Sequence, residues 1–184
     1  MKWAVFLDRD GTINREAVYL DNPAKLRLLP KAAEAIRALN QAGVPAILVT
    51  NQAGVGRGYF PESAVHAIHR VLEQRLARQG AHLDAIYYCP HRPDEGCECR
   101  KPNPGMLLQA AKEHSLDLTR SFVVGDKVID MEAGWRVGCR MVLVLTGYGA
   151  EAQQAFQHLN FQPDYIAADL WEAVQWILAQ GGSP

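Results

Sequence analysis

Asp8 and Asp10 stand one residue apart at the end of the apolar run Val5-Phe6-Leu7, and Gly11-Thr12 follow them. Two carboxylates this close raise each other's pKa, and burying them is costly unless a cation or a proton comes between. A pair at the end of a core strand therefore points to metal binding, acid–base chemistry, or both. The competing reading is a solvated strand-to-turn junction whose aspartates cap local amides.

A second constellation is Cys89-Pro90-His91 followed by Cys97-Glu98-Cys99, a C-x-H-x5-C-x-C pattern in a loop rich in Pro and Gly. Three thiolates and one imidazole make a complete tetrahedral set for Zn²⁺, and a closed set leaves no open position for chemistry. Cys89, His91, Cys97 and Cys99 are thus expected to hold a structural zinc that pins residues 89–99; a redox cluster or a coincidence of spacing is the alternative. Cys139 stands apart and reads as an ordinary buried thiol.

The composition bounds what such sites can serve. At 184 residues the chain fits one domain, 1–184. Lys plus Arg (19) nearly balances Asp plus Glu (20), so no global field favours nucleic acid or acidic lipid. The longest apolar runs, Phe122 to Val124 and Met141 to Leu145, are far too short to span a membrane. No basic start with an apolar stretch marks a secretory signal, so the expectation is a cytoplasmic, reducing home for a monomer. Gly181 to Pro184 read as a frayed tail.

The elements that must position these groups alternate. Strand-like runs cover Trp3–Leu7, Pro45–Thr50, Asp84–Cys89, Ser121–Gly125 and Arg140–Leu145, with a weaker one at Tyr165–Ala167. Helix patterns cover Lys31–Ala42, Glu62–Gln79, Pro104–His114, Asp130–Val137 and Leu170–Ala179. Gly43 sits where a helix C-cap belongs, and Asn103-Pro104 has the form of an N-cap with proline at the first helical position. Short buried strands alternating with helices predict an α/β fold, an open parallel sheet covered on both faces. In such sheets ligands bind beyond the carboxyl ends of the strands.

The polar groups gather at those ends. Thr50-Asn51-Gln52 ends the second strand, and Gly54, Gly56 and Gly58 follow in a loop whose main-chain N–H groups suit a phosphate and whose glycines suggest mobility. A self-satisfied Gly-rich turn is an equal reading. Arg100-Lys101 precede a helix, where two cations can bind an anion or simply meet solvent. Asp126 adds a third carboxylate after the fourth strand. Asp130 fits a helix N-cap or a place just outside a metal's ligand set. Lys127 can reach a phosphate or balance its acidic neighbours.

In this order, Asp8-x-Asp10-Gly11-Thr12, Thr50, Lys101 and Gly125-Asp126-x-x-x-Asp130 resemble the four motifs of the haloacid-dehalogenase-like (HAD) phosphohydrolases, over roughly residues 3 to 146. The resemblance implies a three-layer Rossmann-like HAD fold and Mg²⁺-dependent phosphomonoester hydrolysis. It makes Asp8 the nucleophile of an aspartyl-phosphate intermediate and Asp10 the general acid and base. Mg²⁺ would bind the Asp8 and Asp126 carboxylates and the Asp10 main-chain carbonyl, while Thr50 and Lys101 would hold phosphoryl oxygens.

The stretches from Asp10 to the first helix and from Thr50 to the second leave no room for a large cap domain, so specificity should come from loops. Glu16, Tyr19, Asn51, Gln52, Arg57, Arg100 and Lys127 are the expected substrate contacts, with Arg15 and Arg92 also within a basic rim. Two capless families share this zinc loop. The chain is more similar to the heptose 1,7-bisphosphate 7-phosphatases, through Arg100-Lys101-Pro102-Asn103-Pro104-Gly105-Met106 and Gly125-Asp126-Lys127, than to the histidinol-phosphatases. That resemblance implies removal of the 7-phosphate of a D-glycero-D-manno-heptose 1,7-bisphosphate, a step toward ADP- or GDP-heptose. Histidinol-phosphate hydrolysis, or a zinc-loop binding module without catalysis, is the alternative. The zinc loop lacks the basic and aromatic interleaving of a nucleic-acid knuckle, and Tyr87 and Tyr88 before it read as strand core.

Overall fold

Val5–Leu7 (β1) is buried along its whole length, and its side chains feed two separate cores. Val5 and Leu7 point into one, Phe6 into the other, as the two-residue period of a strand requires. The computed structural model describes residues 2–181. Ala46–Asn51 (β2), Ala85–Cys89 (β3), Phe122–Gly125 (β4), Arg140–Val144 (β5) and Tyr165–Ala167 (β6) complete one parallel sheet of order β3-β2-β1-β4-β5-β6. The central place expected for the first strand, between the second and the fourth, is found.

Helices cover both faces. Ala32–Gln41 (α1), Glu62–Ala77 (α3) and Leu170–Gln180 (α7) bury Ile36, Leu39, Ile68, Leu72, Val174 and Ile177 against one face. Gly105–His114 (α4), Val128–Trp135 (α5) and Gly149–Ala155 (α6) put Met106, Leu107, Met131 and Ala152 on the other. This is the three-layer fold expected, and between β1 and α1, and between β2 and α3, there is no cap domain. Those connections hold only a single 3₁₀ turn at Pro23–Lys25 and the four-residue helix Ala53–Gly56 (α2).

Several local expectations are corrected. Asn103 does not cap α4; Pro104 occupies the N-cap position, and the Asn103 amide instead donates to the Cys97 carbonyl at 2.8 Å and accepts from Arg136. Helix α5 begins at Val128, so Asp130 is its third residue rather than its cap, and its Oδ2 accepts from the Lys127 main-chain N–H at 3.0 Å. Two of the glycines after Thr50, Gly54 and Gly56, serve close packing rather than an open loop, while Gly58 takes a left-handed φ of 73° in open space. A Cβ at Gly54 would lie 2.3 Å from the Phe60 ring, and one at Gly56 2.8 Å from the Pro90 carbonyl oxygen. Strand β3 is an edge, so Tyr87 and Tyr88 are half-buried and their hydroxyls reach out to Glu113 and Glu62. Gly43 takes a left-handed φ of 70° just past α1, as its C-terminal position predicts. Residues 182–184 of the expected tail lie outside the described residues.

Candidate active site and cysteine cluster

Asp8 leaves β1 at the carboxyl edge of the sheet, flanked by the ends of β2 and β4. Its Oδ1 accepts from Lys101 Nζ at 2.8 Å, both groups being buried. The same ammonium donates to the Val49 carbonyl at 2.9 Å and lies 2.7 Å from Asp130 Oδ1. Burial works against the Lys101 ammonium, but Asp130 and Asp8 outweigh it and keep it charged. Asn51 fixes this lysine from behind, its amide bonded to both the Lys101 main-chain N–H (3.0 Å) and carbonyl (3.1 Å).

Asp8, Asp126 and Asp130 each present an oxygen within 4.8 Å of the others. Glycine makes that approach possible: a Cβ at Gly11 or Gly147 would lie 2.1 Å from Asp126 Oδ2, and one at Gly125 2.4 Å from Asp130 Oδ2. Tyr148 donates its main-chain N–H to Asp126 Oδ2 at 2.8 Å, while the buried Oδ1 has no hydrogen-bond partner among the described residues. Burial, then Asp8 and Asp130, push the Asp126 carboxyl up to about 8, and burial and Asp8 raise Asp130 as well. A buried carboxylate oxygen without a donor, among three carboxylates and one lysine, is a donor set fit for a hard divalent cation.

Asp10 is turned away from that trio. Oδ1 accepts from Arg9 Nε (3.1 Å) and Asn14 Nδ2 (2.9 Å); Oδ2 accepts from Arg9 Nη2 (3.0 Å) and Gln52 Nε2 (3.3 Å). Burial would raise this carboxyl, but Arg9, Asn14 and Gln52 together hold it below the usual carboxylate range. Gln52 also donates to Thr50 Oγ1 at 2.9 Å, which ties the hydroxyl expected to meet a phosphate to Asp10.

Above this floor opens a cleft of about 340 Å³. All seven expected substrate contacts line it: Glu16 and Tyr19 from the loop after β1, Asn51 and Gln52 from the end of β2, Arg57 just past α2, Arg100 from the segment before α4 and Lys127 from the start of α5. Of the expected catalytic residues only Asp10 reaches its surface; Asp8 and Thr50 lie beneath, and Lys101 borders an adjoining hollow of about 250 Å³. Lys127 Nζ pairs with Glu16 at 3.2 Å and lies 5.1 Å from the centre of the Tyr148 ring. Burial raises the Glu16 carboxyl against that pairing. Arg92 is held by Asp94 and Glu95, and neither it nor Arg15 lines the cleft. Tyr148 and Ile129 do, without having been singled out. Tyr148 sits just past β5, so following the polar groups at the end of the fifth strand would have found it.

The second cluster is complete. Cys89 Sγ lies 2.9 Å from Cys99 Sγ and 3.5 Å from Cys97 Sγ; His91 Nδ1 is 3.4 Å from Cys89 and 3.3 Å from Cys99. No pair among them is a disulfide. A zinc tetrahedron with bonds of about 2.3 Å has edges of roughly 3.8 Å, so small outward shifts would admit the ion. Burial and Cys99 raise the Cys89 thiol. Burial also opposes ionisation of Cys97, but the Cys89 contact and the Arg100 main-chain N–H outweigh it and bring Cys97 down to about 7. Cys139 is buried and pushed up to about 12, an inert thiol as expected.

Fold and carboxylate cluster together define a HAD-like hydrolase, and a HAD-hydrolase-like family model matches residues 98–173. A D-glycero-D-manno-heptose-1,7-bisphosphate 7-phosphatase of Thermosynechococcus vestitus is 46% identical across 95% of this chain and 94% of its own length. The Pseudomonas aeruginosa D-glycero-beta-D-manno-heptose-1,7-bisphosphate 7-phosphatase is 43% identical over 79% of this chain and 82% of its own. The crystal structure of the Bordetella bronchiseptica D,D-heptose 1,7-bisphosphate phosphatase, complexed with magnesium and phosphate, superposes with a TM-score of 0.90 at 36% identity, covering 98% of this chain and 99% of that one. The chain belongs to the D-glycero-D-manno-heptose-1,7-bisphosphate 7-phosphatase family.

Proposed function

We propose that this protein is a Mg²⁺-dependent phosphatase that removes the 7-phosphate of D-glycero-D-manno-heptose 1,7-bisphosphate through an aspartyl-phosphate on Asp8. The observation that carries the reading is the Asp8–Lys101–Asp130 chain beside the donorless oxygen of Asp126, directly under a cleft with a basic rim. Magnesium, held by Asp8, Asp126 and the Asp10 main-chain carbonyl, would offset the repulsion between the attacking carboxylate and the phosphoryl group.

The chain's own groups do the rest. Lys101 holds Asp8 in a fixed rotamer and shares its charge with the phosphoryl oxygens, together with Thr50. Asp8 attacks phosphorus while Asp10 gives a proton to the departing C7 oxygen, a proton it has to take up against the Arg9, Asn14 and Gln52 contacts that favour its ionised form. Asp10, now a base, takes a proton from the water that opens the aspartyl-phosphate. Asp130 keeps Lys101 charged from outside the ligand set. Arg57, Arg100 and Lys127 suit the second phosphate, and Glu16 and Tyr19 suit sugar hydroxyls and the sugar face; Asn51 and Gln52 act by placing Lys101 and Asp10. Cys89, His91, Cys97 and Cys99 hold zinc as a structural pin for residues 89–99.

In this reading one domain, 1–184, works as a cytoplasmic monomer on a small phosphorylated sugar, without nucleic acid or membrane. A near-neutral net charge of −1 supports the exclusion of polyanions. Relative kcat/KM for heptose 1,7-bisphosphate, fructose 1,6-bisphosphate and histidinol phosphate tests it. The heptose should lead by at least about tenfold; preference for histidinol phosphate would overturn the assignment.

A further inference from the structure

Arg9, between Asp8 and Asp10 in sequence, is the largest fully buried side chain among the described residues, a guanidinium with no exposure. A buried cation needs partners for its donors. Nε and Nη2 form a two-pronged grip on both oxygens of Asp10, and Nη1 lies 3.2 Å from Nε2 of His69. A guanidinium can only donate, so His69 Nε2 must accept, which leaves the imidazole neutral with its proton on Nδ1. Burial and Arg9 push His69 down to about 3, in keeping with that state.

His69 comes from the buried face of α3, one residue past Ile68, with its ring edge-on to Tyr88 at 5.9 Å. A core histidine would need no partner in the active site, and a buried arginine would need no histidine if Asp10 sufficed. The two occur together sixty positions apart in sequence.

We propose that Arg9 and His69 are positioning residues that lock the Asp10 carboxyl in the orientation required for proton transfer, with helix α3 as the anchor. This rests on Asp10 being the general acid. The grip is planar and bidentate, so it fixes the rotation of the carboxylate as well as its place. Asn14 closes Oδ1 at 2.9 Å, whereas Gln52 meets Oδ2 at 3.3 Å, the longest of the four contacts. Oδ2 is thus the less tightly held oxygen, and the proposed proton exchange falls to it once Gln52 gives way. His69 prevents the guanidinium from swinging by holding its remaining arm.

The test compares an alkyl phosphate, heptose 1,7-bisphosphate, with an activated aryl phosphate, p-nitrophenyl phosphate, in Arg9→Lys, His69→Leu, His69→Gln and Asp10→Asn, all with Mg²⁺ and with folding checked by thermal melts. A misplaced acid costs most where the leaving oxygen needs its proton. Arg9→Lys should lower kcat on the alkyl ester by about 10²-fold and on the aryl ester by less than about fivefold, with KM little changed. His69→Leu should show the same split, at about tenfold, and His69→Gln, whose amide oxygen can accept from Nη1, should recover most of it. Equal losses on both esters in folded Arg9 and His69 variants, or none, would overturn the proposal. If Arg9→Lys does not fold, the Leu and Gln variants of His69 decide by the same criterion. Asp10→Asn separates the two ideas: an equal loss on both esters there defeats the acid role of Asp10 itself, whereas a split in Asp10→Asn alone defeats only the positioning role.

Discussion

In the proposed mechanism the chemistry turns on Asp8 and Asp126, and each has a distinct liability. Asp8→Asn should cut turnover by about 10⁵-fold without loss of fold, because an amide cannot attack phosphorus; phosphate release assays and a melt would check both halves. Asp126 makes metal binding depend on pH. Its carboxyl rises from an ordinary 3.8 to about 8 in the folded chain, so between those values the folded state holds a proton that the unfolded state has lost. Stability without metal must then fall as pH rises through that window and level off above it. Asp130, raised for the same reason, adds to this slope. Mg²⁺ competes with the proton, so the gain in Tm on adding it should grow from pH 5 to pH 8; calorimetry in chelator and in Mg²⁺ would show it, and a gain independent of pH would contradict it. Gly11→Ala should lower Mg²⁺ affinity at least tenfold, since its Cβ would fall 2.1 Å from Asp126 Oδ2 at a φ of 84°.

At the scale of elements, the cysteine loop is tied to the active site through its backbone. Gly56 donates to the Pro90 carbonyl at 2.9 Å, Gln52 to Cys89 at 2.8 Å and Gly105 to Glu98 at 3.0 Å. Arg100 and Lys101 follow the last thiol directly. Replacing Cys97 and Cys99 by Ser should therefore abolish zinc content, measured by elemental analysis, and raise KM about tenfold with a smaller change in kcat. A variant that keeps KM would free the loop of any part in substrate binding. Elements were legible in the sequence where one local signal sufficed. Apolar runs gave the strands, and Gly43 gave the end of α1. Helix α6 was missed because Gly149–Ala155 carries no apolar stripe beyond Ala152. The Asn103-Pro104 pair misled because the asparagine Oδ1, the atom that would cap the helix, accepts from Arg136 instead. The half-burial of Tyr87 and Tyr88 depends on β3 being an edge, which is a property of the sheet and not of the segment.

Across the whole molecule, topology gathers what the sequence scatters. The order β3-β2-β1-β4-β5-β6 brings the ends of β2 and β4 to either side of Asp8, and so Lys101, ninety-three positions away, reaches its carboxylate. The expected site residues were legible because each lies at a strand end or in the segment that follows one, where a parallel sheet places its ligand. Arg9 and His69 were not, since nothing near either residue announces a partner sixty positions off. The rim above combines Arg57, Arg100 and Lys127, a set suited to a substrate with two phosphates.

The most direct test of the whole account follows the two phosphates of heptose 1,7-bisphosphate by ³¹P NMR as the enzyme turns over with Mg²⁺. The C7 phosphomonoester signal should disappear into inorganic phosphate while the anomeric phosphate persists unchanged, and chelation should stop the reaction. Release of the anomeric phosphate, or turnover undiminished by chelator, would contradict it.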